Sequence, residues 1–118
     1  MIEVKEITVR YGGITALDRV SLNIPDRKMI SIVGANGAGK STTINAISGM
    51  VPLAGGEIFF EGHRLAVQPH VITRLGIVQV PEGRKIFSSI TVKENLLLGA
   101  YTIRDRKHVE ENLKKVYR

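Results

Sequence analysis

The residues Gly34, Ala35, Asn36, Gly37, Ala38, Gly39, Lys40 and Ser41 fit the pattern G-x-x-x-x-G-K-[ST], and Thr42 follows directly. Such a run suits phosphate chemistry. Glycines admit backbone conformations closed to residues with a Cβ, so successive amide N–H groups turn inward and form an anion nest. A helix starting at the end of the run adds its own positive partial charge at the same place. On that geometry Lys40 reaches the β- and γ-phosphates of a nucleoside triphosphate, the Ser41 hydroxyl ligates Mg²⁺, and Thr42 donates to the α-phosphate. A glycine-rich turn that merely precedes a lysine needs no strand before it and no helix after it.

Both flanks are present in the sequence. Met29 to Val33 is a nearly continuous apolar run, the pattern of a strand covered on both faces, and it enters the glycine-rich segment directly. Ser41 to Ser48 reads as a helix with Ile44 and Ile47 on one face, and Gly49 and Pro52 are its stop signals. Upstream, Ile2 and Val4 alternate in one phase while Ile7, Val9 and Tyr11 alternate in the other, which predicts a strand with a bulge near Lys5 and Glu6. Gly12 and Gly13 end it, and Val20, Leu22 and Ile24 form a second strand before the Pro25-Asp26 turn. Ile58 and Phe60 lie in a further strand opened by Gly55-Gly56 and closed by Gly62. Pro69 to Leu75 suits a short helix with Gly76 beyond its end, and Ile77 to Val80 reads as another buried strand.

Downstream, Pro81 to Ile90 forms a loop. Thr91 and Glu94 have capping-box spacing, so a helix starts there and runs through Leu96 to Leu98. Val109, Leu113 and Val116 share one face of a last helix, which Asp105 caps. On its other face Glu110/Lys114 and Glu111/Lys115 are i,i+4 pairs. The 118 residues fit one domain of ordinary size. The chain has no cysteine, which removes disulfides, thiolate metal sites and thiol nucleophiles. No segment approaches the about 20 apolar residues that span a bilayer. The formal charge of +6 comes from scattered basic residues interleaved with acids. Without a basic stripe or stacking aromatics, a nucleic-acid partner is not indicated.

With those motifs in place, the chain resembles the ATP-binding-cassette (ABC) family from Met1 to about Ala100. The likeness rests on Tyr11-Gly12, on Ala16-Leu17-Asp18 with Val20-Ser21-Leu22, on the phosphate loop, and on Gly55-Gly56-Glu57-Ile58. The resemblance implies an α/β phosphate-loop NTPase core with an antiparallel β layer, and ATP with Mg²⁺ as its ligand. It also implies that Tyr11 stacks on adenine. The stretch from Gly76 to Phe87, followed by Thr91-Val92 and Glu94-Asn95-Leu96, is similar to the ATPase subunits of branched-chain amino acid uptake systems. The general family has a magnesium-ligating glutamine after Val-Pro in this loop. Here Glu82 stands after Val80-Pro81, and Gln79 comes three residues earlier. By register the role falls to Glu82, so Ser41 and Glu82 are the implied magnesium ligands. Arg84, Lys85 and Phe87 are implied to grip a membrane permease. A second ATPase subunit, identical or related, and a place on the cytoplasmic face of the membrane follow from the same resemblance.

Hydrolysis in the family also uses an apolar strand ending in aspartate, then a glutamate, then a distant histidine. None has a counterpart here, so no catalytic residue is assigned within the chain. Leu53-Ala54-Gly55-Gly56-Glu57 imitates the family's signature but comes too soon after the phosphate loop and runs into a strand. His63, His70 and His108 lie too far apart for ligand spacing. Residues 1–118 are thus expected to be the amino-terminal part of a single ATP-binding domain, unable to hydrolyse ATP steadily. The expected function is energy coupling in an amino acid importer. A non-transport nucleotide switch is the alternative, and a small kinase would need an acceptor site and a lid that are not evident.

Overall fold

The computed structural model describes residues 1–66 and 68–118 and divides into two compact units, Met1–Gln79 and Val80–Arg118. The first is built on an antiparallel four-stranded sheet of order β2-β1-β3-β4. β1 (Ile2–Tyr11) pairs with β2 (Ile14–Ile24) across the Gly12-Gly13 turn and, on its other edge, with β3 (Gly55–Phe60); β4 (His63–Arg64) completes the sheet.

The expected bulge is present in both ladders. The register of β1 shifts between Val4 and Ile7 against β2 and between Lys5 and Thr8 against β3, with Glu6 at a φ of 46°. Its amide is taken by the Ser21 hydroxyl at 2.9 Å. This extra residue is what turns Val4, Ile7 and Val9 all to the buried face, where they meet Leu17, Ile58 and Leu65.

α1 (Lys40–Ile47) lays Thr43, Ala46 and Ile47 on this core, while Ile44 lies outside the buried arc. α2 (Pro69–Arg74) follows as expected, with Ile72 buried. Two expectations fail. Among the described residues, neither 29–33 nor 77–80 forms a strand, and Met29, Val33, Val78 and Val80 are exposed. The reason is physical: a strand covered on both faces requires hydrogen-bonded neighbours, and no described segment pairs with either run.

The second unit contains α3 (Val92–Leu98) and α4 (Arg106–Val116). The Thr91 side chain accepts from the Glu94 amide at 3.1 Å, and the Thr91 amide donates back to the Glu94 carboxylate at 3.0 Å, closing the capping box. Asp105 accepts from the Lys107 amide at 3.0 Å and caps α4. Val109 and Leu113 are half-buried and line an open apolar groove with Leu96 and Leu97, but Val116 is exposed. Among the described residues, the Glu110/Lys114 and Glu111/Lys115 pairs do not close to ion-pair distance. Long exposed side chains lose rotamer entropy on pairing, and in water the Coulomb gain is about the same size.

Candidate functional site

The glycine-rich loop is bent by its own residues before anything binds to it. Ala38 donates its amide to the Ala35 carbonyl at 3.1 Å, closing a turn. Gly37 has a φ of 84° and Gly39 a φ of 95° with ψ 9°, conformations open to glycine and strained for any residue with a Cβ. Gly39 is the N-cap of α1 and offers no side-chain acceptor, and the first turn of the helix carries no acidic residue. The positive end of the helix therefore has neither a side-chain cap nor an acidic residue in its own first turn.

β2 sets where this loop stands. A Cβ added to Gly39 would lie 2.7 Å from Leu17 Cδ2 and 3.2 Å from the Ala16 carbonyl oxygen. Leu17 is itself only 4 % exposed, so the loop rests on the sheet through a position that only glycine fits. From the helix side, the buried Thr43 donates its hydroxyl to the Gly39 carbonyl at 2.8 Å, beside the amide bond of 2.9 Å between the same two residues. Sequence reasoning missed Thr43. Its signal was a threonine four residues after a glycine cap, where the hydroxyl bonds back to the i−4 carbonyl.

Lys40 bends back over the loop and donates to the carbonyls of Gly34 and Ala35, the latter at 3.1 Å. Its ammonium is therefore folded back onto the loop that carries the Gly37 and Gly39 turn. Ser41 is exposed at the start of α1 and Thr42 is half-buried beside it. These residues, from Gly34 to Thr42, are the ones the structure brings together.

The other predicted residues stand elsewhere. Tyr11 ends β1, opposite Ile14, and is 47 % exposed as a residue. Gln79 is occupied: its amide nitrogen donates to Asn45 Oδ1 at 2.9 Å, and its Oε1 lies 2.5 Å from the Ser48 hydroxyl. Glu82, exposed, belongs to the second unit. There Asn95 fixes the main chain of Phe87, accepting from its amide at 2.9 Å and donating to its carbonyl at 3.0 Å. The Phe87 ring stays exposed.

Comparison with known proteins gives the family. The family model for ABC transporters matches residues 17–118. The chain belongs to the ABC transporter family. Among its ABC relatives is the high-affinity branched-chain amino acid transport ATP-binding protein BraG of Pseudomonas aeruginosa, 40% identical over 102 residues, or 86% of this chain and 44% of that protein. A solved ATP binding subunit of an ABC transporter matches with a TM-score of 0.82 at 31% identity, covering 94% of this chain and 46% of that one. A bacterial ABC transporter cassette, MJ0796, solved as a dimer, matches with a TM-score of 0.79 at 27% identity, covering 94% and 53%. The chain thus spans about half the length of the relatives it matches.

The ABC membership and the cassette fold expected from the sequence are therefore established, and the relatives do not favour a non-transport switch. Among the described residues, no helix is long and apolar enough to cross a membrane.

Proposed function

We propose that this chain is the nucleotide-binding part of the energy-coupling subunit of a branched-chain amino acid importer, and that it holds ATP with Mg²⁺ on Gly34 to Thr42. The observation that carries the proposal is the loop itself, in which two positive-φ glycines, a helix start without a side-chain cap and the Lys40 ammonium fall within a few residues of one another. That donor set fits a triphosphate, because every group in it is a donor or a positive charge. Bound ATP would supply the free energy of phosphate release to a membrane partner. In the roles proposed, Lys40 faces the β- and γ-phosphates, Thr42 the α-phosphate, and the Ser41 hydroxyl with the Glu82 carboxylate ligates the ion.

Tyr11 gives adenine a flat, half-exposed ring at a strand end. The partners proposed are a permease, gripped through Arg84, Lys85 and Phe87, and a second ATPase subunit, in keeping with the dimeric state of the MJ0796 cassette. The working place is the cytoplasmic face of the membrane. Hydrolysis would draw on an aspartate-glutamate strand end and a histidine that residues 1–118 do not supply.

Titration of the chain with a fluorescent ATP analogue tests this. Mg²⁺-dependent binding is expected, and Lys40→Ala should weaken it by at least about tenfold, the order of one buried charge-assisted contact. Equal affinity of the wild type and Lys40→Ala would end the proposal.

A further inference from the structure

Thr43 keeps a hydroxyl where neither the core nor the helix asks for one. It is 4 % exposed, on the face of α1 that also buries Ala46 and Ile47. Its hydroxyl donates to the Gly39 carbonyl at 2.8 Å, and its amide donates to the same oxygen at 2.9 Å, so both lone pairs of that oxygen are taken. A threonine hydroxyl bonded back to the i−4 carbonyl slightly weakens a helix and bends it. Valine has the same branched shape, a similar helix propensity and no polar atom to satisfy. Helix stability therefore does not account for the second bond.

What the doubled bond fixes is the peptide between Gly39 and Lys40. That peptide is trans and planar, so its N–H points opposite to its carbonyl. With the carbonyl drawn along the helix toward Thr43, the Lys40 amide points out of the helix start. Among the described residues no acceptor meets it, as is usual for the first amides of a helix. Without the hydroxyl this peptide is easily turned. Gly39, at a φ of 95° and ψ of 9°, has no Cβ to limit its other conformations, and the single amide bond that remains belongs to a helix end, where such bonds fray. A hydroxyl on a buried side chain does not fray with the end. By filling the second lone pair it also polarises the peptide and makes the Lys40 N–H a stronger donor.

We propose that Thr43 is a positioning residue: its hydroxyl holds the Gly39–Lys40 peptide so that the Lys40 amide is aimed at a phosphate before the phosphate arrives. The inference rests on the reading of Gly34 to Thr42 as the triphosphate site. A peptide already turned the right way has no ordering cost left to meet when the anion binds, which is the gain that pre-organisation gives.

The test measures the dissociation constant of a fluorescent ATP analogue with Mg²⁺ for the chain and its Thr43 variants, with thermal unfolding of each followed alongside. Thr43→Val removes the hydroxyl and keeps the shape, so the unfolding midpoint should stay within about 2 °C while affinity falls about three- to tenfold, the range of one hydrogen bond. Thr43→Ser does the reverse. It keeps the hydroxyl and loses a buried methyl, so the midpoint should fall by roughly 3–6 °C while affinity stays within about twofold of the wild type. Inorganic tripolyphosphate, used to displace the analogue, should show the same loss with Thr43→Val, because the Lys40 amide faces phosphate and not the base. If Thr43→Val is unfolded at the assay temperature, Thr43→Ala against Thr43→Ser reads the same hydroxyl with the methyl absent from both. Wild-type affinity in Thr43→Val, affinity that simply follows the unfolding midpoint through the series, or an unchanged tripolyphosphate constant would overturn the assignment. Failure of the underlying reading looks different: the wild type would bind neither nucleotide nor tripolyphosphate, or Lys40→Ala would bind as well as the wild type.

Discussion

Leu17 closes off the space in which a side chain at Gly39 would have to stand, its Cδ2 lying 2.7 Å from the position of an added Cβ. Both constraints at Gly39, the φ of 95° and the steric wall, act on Gly39→Ala. Left-handed backbone costs an L-residue about 1–2 kcal/mol, and overpacking a well-filled site adds about 1–3 kcal/mol. Urea unfolding should therefore show Gly39→Ala destabilised by about 2–5 kcal/mol. Adding Leu17→Ala should recover the steric part and leave the backbone part, a non-additive pair. Simple additivity of the two substitutions would mean that Leu17 does not set the loop.

Gly56 and Gly12 separate backbone strain from close approach. Both have positive φ, 79° and 59°, but an added Cβ meets nothing within 4 Å at Gly12 and the Glu6 carbonyl oxygen at 2.3 Å at Gly56. Gly12→Ala should cost about 1 kcal/mol, the conformational penalty alone. Gly56→Ala presses on main chain that the bulge at Glu6 cannot move without shifting the β1–β3 register, so it should cost about 1–3 kcal/mol more than that. Equilibrium unfolding of the two variants side by side decides it. Equal destabilisation would show that the bulge yields easily.

What could be read in the sequence was whatever short-range chemistry decides. The helix start after Gly39, the bulge at Glu6, the Thr91–Glu94 capping box and the Asp105 cap each depend on residues a few positions apart, and all appear where the spacing put them. The core residues Val4, Ile7 and Val9 were legible for the same reason, since period-2 alternation with one bulge names a face. Residues 29–33 and 77–80 failed because apolarity reports a wish for burial but not the partner that would satisfy it. Strand pairing is a long-range fact. Gln79 was hidden in another way: its contacts with Asn45 and Ser48 span 34 and 31 residues, and no local pattern foretells them. Thr43 was legible in principle, since its bond to Gly39 is local, but a motif that assigns roles to Lys40, Ser41 and Thr42 draws attention away from the next residue.

Met29, Val33, Val78 and Val80 present apolar side chains to water along two segments whose backbone amides and carbonyls have no ladder partners among the described residues, with Val33 91 % and Val78 73 % exposed. Backbone without ladder partners flanked by apolar side chains is a template for a second chain, so the isolated polypeptide should self-associate as concentration rises. Sedimentation velocity across a range of concentrations, with dye binding to apolar surface measured in parallel, should report it. Val33→Ser and Val78→Ser together should lower both signals while leaving the unfolding midpoint nearly unchanged, because neither side chain contributes much to the core. A loss of stability comparable to that of a core truncation such as Ile7→Ala, about 2–5 kcal/mol, would instead mean that these valines are buried in solution. The two segments would then have to be folded in as strands after all.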